Sequence, residues 1–341
     1  MAKAKDISEV HCDADAREAA RLILSMRFDE MCALRAAALD WNDIEGVHDM
    51  RVASRRVRSV LRDLAPFLRR RKFAPVQDKL KSVADALGRV RDQDVMIAAL
   101  EKHLTSASMR VATGIEEFLQ ERSAEREEAR IVLAQTIRED ALDALRADFM
   151  SALEQATEPS RKGNKRGRRI ILHEKMTLRR AGRASIEMRL SELQQLSRSL
   201  SKPFKIEPLH RLRIAAKRLR YALELFAPCF DTTKLNSLAK DVAALQTALG
   251  ELHDADVWIA MLGKMLRTQT KKENQRSWHE TLDGSDSTAT RRAAAVWLLR
   301  HEIKARAKHF NGALALWHKW QTNGSAARLA DALGDVTSSA S

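Results

Sequence analysis

The sequence predicts an all-α protein, and three observations carry that prediction. Turn formers are scarce: 12 glycines and 6 prolines among 341 residues fall well below the usual ~7% and ~5%. A β-sandwich or barrel needs more tight turns than these can supply. Alanine, leucine, arginine and glutamate, all good helix formers, dominate instead. Wound at about 100° per residue, the best-patterned segments segregate apolar and basic side chains onto opposite faces.

The elements follow in order. In the first half, helices are expected from about Asp15 to Trp41, Glu45 to Arg71, Pro75 to Thr105 and Ser108 to Leu153. Pro66 and Pro228 fall late in the second helix of each half, where a kink or stop is expected. Residues 158–169 combine Pro159, Gly163 and Gly167 with six basic residues, the composition of a flexible linker. The second half resumes near Ile170, Thr268 to Ser287 reads as a polar loop, and a last long helix runs from about Thr288 to Gln321. The expected organisation is one domain over 10–321, with repeats 10–157 and 170–321, followed by a flexible tail over 322–341.

The repeats are explicit. Val47-His48-Asp49-Met50-Arg51-Val52-Ala53-Ser54-Arg55-Arg56-Val57-Arg58 matches Leu209-His210-Arg211-Leu212-Arg213-Ile214-Ala215-Ala216-Lys217-Arg218-Leu219-Arg220 at an offset of 162. A second block, Ala86–Leu100, matches Ala248–Leu262 at the same offset, with nine of fifteen positions identical. Two blocks at one offset mean a tandem duplication with no insertion between them.

Composition narrows the function. No apolar run approaches the ~20 residues of a membrane span, and no apolar stretch follows Lys3 and Lys5 as a secretory signal requires. Cys12, Cys32 and Cys229 are too few and too scattered for a disulfide framework or a zinc site, and Cys229 reads as a small core residue. A cytoplasmic protein without a membrane anchor is expected. With 60 Lys+Arg against 46 Asp+Glu the net charge is +14, which points to a polyanionic partner.

The charge is concentrated. On the helix starting near Glu45, His48, Arg51, Arg55, Arg58 and Arg62 share an arc of about 80°, opposite Met50, Ala53, Val57, Val60, Leu61 and Leu64. In the second half His210, Arg213, Lys217 and Arg220 align in the same way, with Glu224 in the place of Arg62. Arg56 and Arg218 flank each stripe. An ordinary exposed face mixes signs four residues apart, whereas this one carries no acid, so it loses stability unless something negative covers it. Guanidinium bonds phosphate oxygens bidentately, and 14 steps make a track of about 21 Å, long enough for several consecutive phosphates. Histidines opening such stripes predict binding that strengthens as pH falls through about 6 to 7.

Asp92, Asp94, Asp254 and Asp256 are read as partners of the arginines or helix caps rather than metal ligands, and Gly88 and Gly250 as points of close helix approach or a kink. The doublets His48-Asp49 and His253-Asp254 suggest a metal phosphohydrolase, but Asp49 corresponds to Arg211 and His253 to Arg91, so the repeat does not preserve them. No third and fourth ligand has a convincing spacing, and no phosphate loop or nucleophile elbow is present. No catalytic residue, metal or cofactor is assigned.

These residues resemble the conserved histidine α-helical domain family, CHAD. The resemblance rests on His48-x-x-Arg51-x-x-x-Arg55-Arg56-x-Arg58, its copy His210-x-x-Arg213-x-x-x-Lys217-Arg218-x-Arg220-Tyr221, and the blocks at 87–95 and 249–257. It covers about residues 10 to 321. It implies two four-helix halves related by a pseudo-twofold axis, with basic stripes lining a central pore or groove that binds inorganic polyphosphate. It also implies association with polyphosphate granules in the cytoplasm. The ligand set carried over is His48, Arg51, Arg55, Arg58, His210, Arg213, Lys217 and Arg220, with Arg56, Arg62, Arg91 and Arg218 as extensions. Arg179, Arg180 and Arg183 offer further bases. Many members are fused to a triphosphate tunnel metalloenzyme domain, for which this sequence has neither room nor a Glu-x-Glu-x-Lys strand. A non-enzymatic binding module is implied. The alternative is a nucleic-acid binder; aromatic stacking platforms are lacking, so nucleic acid is expected to bind weakly, through charge alone. Oligomeric state is not read from the sequence.

Overall fold

Helix capping sets the start of the chain. The computed structural model describes residues 10–158, 176–275 and 286–334. In it the Asp15 side chain accepts hydrogen bonds from the Arg17 and Glu18 backbone N–H groups at the start of α1 (Ala16–Ala33), donors that a helix terminus leaves orphaned. Beyond it lie α2 (Arg35–Ala38), α3 (Ile44–Asp63), α4 (Ala74–Leu104), α5 (Met109–Thr136) and α6 (Glu139–Thr157). The second half contributes α7 (Leu178–Leu196), α8 (Ile206–Phe226), α9 (Thr232–Gln275), α10 (Asp286–Thr322) and α11 (Ser325–Ala332). The described residues form no strand, only an isolated bridge between Asp15 and Thr177. The all-α expectation holds.

At the offset of 162, α1 falls on α7, α3 on α8 and α4 within α9. The bridge joins equivalent positions, since 15 and 177 are themselves 162 apart. Its hydrogen bonds are reciprocal: Ala16 N–H donates to Met176 C=O at 2.8 Å and Leu178 N–H to Ala14 C=O at 3.0 Å. A two-fold axis passing between Asp15 and Thr177 would produce this pairing.

Two apolar cores result. The larger one packs α1, α3, α7 and α8 around Phe28, Met50, Leu64, Leu212 and Phe226. The smaller one joins the C-terminal part of α4, the start of α5, α9 and the start of α10 around Leu100, Ile115, Trp258 and Leu298.

The structure corrects several boundaries. The helix expected to reach Trp41 breaks at Leu34 and ends at Ala38. The one expected to reach Arg71 ends at Asp63, and Pro66 sits in a 3₁₀ turn beyond it. The expected helix Ser108–Leu153 is two helices, divided at Ile137. No glycine or proline marks that division. Arg35 of α2 donates to the freed Ile137 carbonyl at 2.8 Å, replacing a bond the helix would have made. Thr268 to Gln275, expected in a loop, continues α9. Residues 325–332, expected in a flexible tail, form α11, with Leu329 and Leu333 buried. Gly324 makes the reversal possible with φ +59°, a left-handed backbone that glycine adopts without a side-chain clash. Except for Glu158, the linker 158–169 lies outside the described residues.

Cys229, though buried as expected, forms a disulfide with Cys12 across 217 residues. Sequence spacing carries no signal of that proximity; it follows from the contact of the N-terminal segment with the start of α7. The cysteines therefore lend no support to a reducing compartment. No described helix is long and apolar enough to cross a membrane.

Gly88 and Gly250 are not close-approach positions, as the sequence suggested. A Cβ at Gly88 would lie 3.9 Å from Arg51 Nε, and one at Gly250 3.7 Å from Arg213 Nε. Close approach occurs at Gly46, where a Cβ would come within 1.9 Å of the Ala37 carbonyl oxygen. Gly46→Ala is expected to destabilise the fold by about 1–3 kcal/mol through overpacking against backbone. Gly88→Ala is expected to be neutral or to stabilise by up to about 1 kcal/mol through helix propensity. Urea unfolding of both variants checks the contrast.

Candidate functional site

The site grows from the packing of α3 against α8. Arg51, Arg55 and Ser59 on α3 correspond at the offset of 162 to Arg213, Lys217 and Tyr221 on α8. Both rows step by four residues and so stay on one helix face. The rows approach each other: Arg213 acts electrostatically on Arg51 and Arg55, and Lys217 is acted on by Arg55, Arg213, Arg62 and Arg51. Met50, Val57 and Leu61 of α3, and Leu212, Leu219 and Leu223 of α8, are buried in the core, which fixes the rotation of each helix.

Beside the paired rows opens a cavity of about 910 Å³. Its wall comprises Arg51, Ser54, Arg55, Arg58, Ser59 and Arg62 from α3, Ala84, Asp85, Gly88, Arg89 and Asp92 from α4, and Lys217 and Tyr221 from α8. Six cations thus face two carboxylates. Arg51 Nη2 pairs with Asp92 Oδ1 at 3.2 Å. Arg62 donates to Ser59 Oγ at 3.1 Å and lies 3.4 Å from Asp63. Arg55, Arg58, Arg89 and Lys217 form no ion pair among the described residues.

Burial and like charge act together here. The Lys217 ammonium is pushed down to about 7, first by burial and then by Arg55, Arg213, Arg62 and Arg51. Arg51 is pushed down to about 10, by burial and then by Arg55. Burial likewise lowers Arg55 and Arg62. An anion entering the cavity would relieve these penalties.

Of the residues singled out by sequence, Arg51, Arg55, Arg58, Arg62 and Lys217 line the cavity, and Arg213 lies beside it. The others do not line it. His48, half-buried, stands one turn before Arg51; burial, then Arg91, lowers its proton affinity. His210 Nδ1 lies 3.3 Å from His253 Nδ1, and burial, then Arg213, lowers the His253 imidazole. Arg56 lines a small separate recess with Arg27, Tyr221 and Glu224. Arg218 is held by Glu192 at 2.5 Å. Arg220 lies 3.5 Å from Glu224 and packs its guanidinium over the Tyr221 ring. Arg179 pairs with Asp13 at 3.1 Å.

Arg89, Ser54, Ser59 and Tyr221 were missed. A helical wheel over the second block would have revealed Arg89, since Asp85, Arg89 and Asp92 recur at spacings of four and three.

Three of the four acids lie against arginines, and Asp254 has no ion pair among the described residues. Besides the Asp92 contact, buried Asp94 lies 3.8 Å from Arg126, and Asp256 accepts from Arg306 at 2.6 Å. Burial raises Asp94 and Asp254 above the usual carboxylate range. Among the described residues one trio could hold a metal, Glu45, His48 and Asp49, within a single turn of α3. The His253-Asp254 doublet gains no such third ligand.

The family described as CHAD domain matches residues 22–263. An uncharacterized protein of Mycobacterium tuberculosis is 28% identical over 237 residues, which is 66% of this chain and 40% of that protein. The chain therefore spans less than half the length of that relative. The crystal structure of the CHAD domain from the plant Ricinus communis is similar with a TM-score of 0.61 at 20% identity, covering 91% of this chain and 96% of that one. PptA from Streptomyces chartreusis is similar with a TM-score of 0.54 at 14% identity, covering 89% and 100%. At these identities the two structures establish the fold.

Lys217 predicts a pH dependence of stability. Folded, it releases its proton near 7; unfolded, it keeps it up to its ordinary 10.5. The unfolded chain thus binds more protons across that window, so stability rises with pH there. Lys217→Met has no charge to bury. It is expected to be more stable than the wild type at pH 6, with the gap narrowing as pH rises from about 7 to 10. Urea midpoints at pH 6, 8 and 10 check this; a gap independent of pH would contradict it.

Proposed function

Because the chain belongs to the CHAD domain family, a family associated with polyphosphate binding, we propose that it binds inorganic polyphosphate, without turning it over, in the cavity between α3, α4 and α8. The observation that carries this reading is a cavity with six cations and two carboxylates on its wall. The α3 wall from Arg51 to Arg62 extends about 16 Å, at 1.5 Å per residue, which suits a linear run of phosphates better than a single phosphate ester. Guanidiniums supply forked donors to phosphate oxygens, and Ser54, Ser59 and Tyr221 add hydroxyls. Attachment to cytoplasmic polyphosphate granules is the cellular role in keeping with this site.

Binding without catalysis is supported by the chemistry of the wall. It carries no histidine or cysteine, and of its two carboxylates Asp92 is tied to Arg51 while Asp85 is exposed and has no ion pair among the described residues. A nucleic acid would meet the same charge, but Tyr221 is the one aromatic side chain on the wall; it is buried and covered by Arg220. Bases would find no face on which to stack.

Arg58→Ala/Arg89→Ala removes two exposed, unpaired cations of the wall and is expected to weaken binding of long-chain polyphosphate at least tenfold in ~150 mM salt, where loose attraction is screened. Lys102→Ala/Arg110→Ala removes the same charge elsewhere and should leave binding unchanged. Single-stranded RNA should not displace the polymer, and a chelator should not affect it. Equal loss in both variants, or equal competition by RNA, would reduce the site to a generic basic surface. Sensitivity to the chelator would point to the Glu45, His48 and Asp49 trio instead.

Polyphosphate should also return a proton to Lys217, because an anion favours its charged form. Affinity is therefore expected to fall as pH rises from about 7 toward 10, and Lys217→Arg should flatten that fall. Isothermal titration in buffers of different ionisation enthalpy measures the proton uptake directly.

A further inference from the structure

Beside the smaller apolar core, where α4, α5, α9 and α10 meet, opens a second cleft of about 420 Å³. Apolar side chains facing such a cleft would gain by being covered. Its inner surface is apolar: Leu100, Phe118, Trp258 and Leu262 are buried, and the thioethers of Met261 and Met265 complete it. Apart from the Thr268 hydroxyl and the Trp258 indole N–H, that surface offers a phosphate chain no hydrogen-bond donor, so the cavity suits the polyanion poorly.

The mouth has the opposite character. Arg291 is fixed there twice, by Glu121 at 2.5 Å and by the Phe118 ring, whose centroid lies 4.7 Å from its guanidinium carbon. Glu121 also lies 3.1 Å from Arg122, which Glu125 grips bidentately at 2.7 and 2.8 Å. Lys264 adds a third cation, exposed and without an ion pair among the described residues. Three cations against two acids, Glu121 and Glu125, leave a net charge of about +1 beside an apolar interior. The volume lies within the usual ~300–1,000 Å³ of small-molecule sites, near the lower end.

From this juxtaposition we propose that the cavity between α4, α5, α9 and α10 is a binding site for a small amphipathic organic anion. An acyl or aromatic body lies against Phe118, Trp258 and the two methionines, and an acidic head group lies at Arg122, Arg291 and Lys264. Methionine suits an apolar body of variable shape because its side chain is flexible and polarizable. Fixed guanidiniums at the rim select the sign of the head group. The site is separate from the basic cavity but shares α4 with it: Asp92 and Leu100 border one cavity each, about 12 Å apart along that helix. The proposal does not depend on the polyphosphate reading.

The test is calorimetric titration of the full chain with decanoate, decylamine and decanol, which share a body and differ in head group. Decanoate is expected to bind once per chain and to change tryptophan fluorescence, decylamine not to bind, and decanol to bind at least tenfold more weakly. Met265→Glu places an acid inside the cavity and should abolish decanoate binding. Lys264→Glu, at an exposed position that does not endanger folding, should weaken it at least tenfold. Both variants should keep wild-type affinity for polyphosphate. Absence of saturable decanoate binding, equal binding of decylamine, or full affinity in Lys264→Glu would overturn the proposal.

Discussion

Like charges held in register across α3 and α8 are the constraint to which the rest of the structure responds. Arg51 and Arg55 on one helix face Arg213 and Lys217 on the other, and burial strengthens the repulsion that water would otherwise screen. The helices cannot rotate to separate them, because rotation would expose Met50, Val57, Leu212 and Leu219, all buried. Apolar burial therefore holds the cations together. The cost is registered in the lowered proton affinities of Lys217, Arg51, Arg55 and Arg62.

Neighbouring helices relieve this strain only in part. The second block of each half brings acids alongside the rows, yet at the cavity wall just one pairs with the row itself, Asp92 with Arg51. The better-buried acids serve elsewhere. Asp63 receives Arg189 at 2.8 Å, joining α3 to α7, and Asp256 receives Arg306, joining α9 to α10. Breaking such a buried pair strands a charge, so these contacts lock the helices around the site while leaving its cations uncompensated.

How much of this the sequence discloses depends on whether the cause is local. Periodicity gives α3 and α8 because their apolar and basic residues alternate with the helical repeat, and the offset of 162 gives their equivalence. The cavity residues legible in advance lie on α3 or in its copy. Those missed come from elsewhere, as with Arg89 of α4, or carry hydroxyls rather than charge, as with Ser59 and Tyr221. The divisions at Leu34 and Ile137 have no local breaker. Arg35 reaching the Ile137 carbonyl makes the second one tolerable, and that contact spans 102 residues. The same holds for Cys12 and Cys229. Arg56, Arg218 and Arg220 resemble cavity cations in sequence, and only the positions of Glu192 and Glu224 separate them.

The duplication also explains why the described cavity is one-sided. On its wall Arg58, Arg62, Asp85 and Arg89 stand where the second half has Arg220, Glu224, Thr247 and Glu251. Two positions that hold cations in the first half hold acids in the second, and both acids have partners within the chain: Glu224 lies 3.5 Å from Arg220 and Glu251 2.8 Å from His309. What the second half keeps is the row nearest α3, where Arg213 and Lys217 still raise the potential felt by the first-half cavity. A copied helix pair thus serves one site from two sides, with the first half forming most of the wall and the second supplying Lys217, Tyr221 and the repulsion that makes an anion favourable there. Charge lost from one copy does not weaken such a site as long as the crossing row persists.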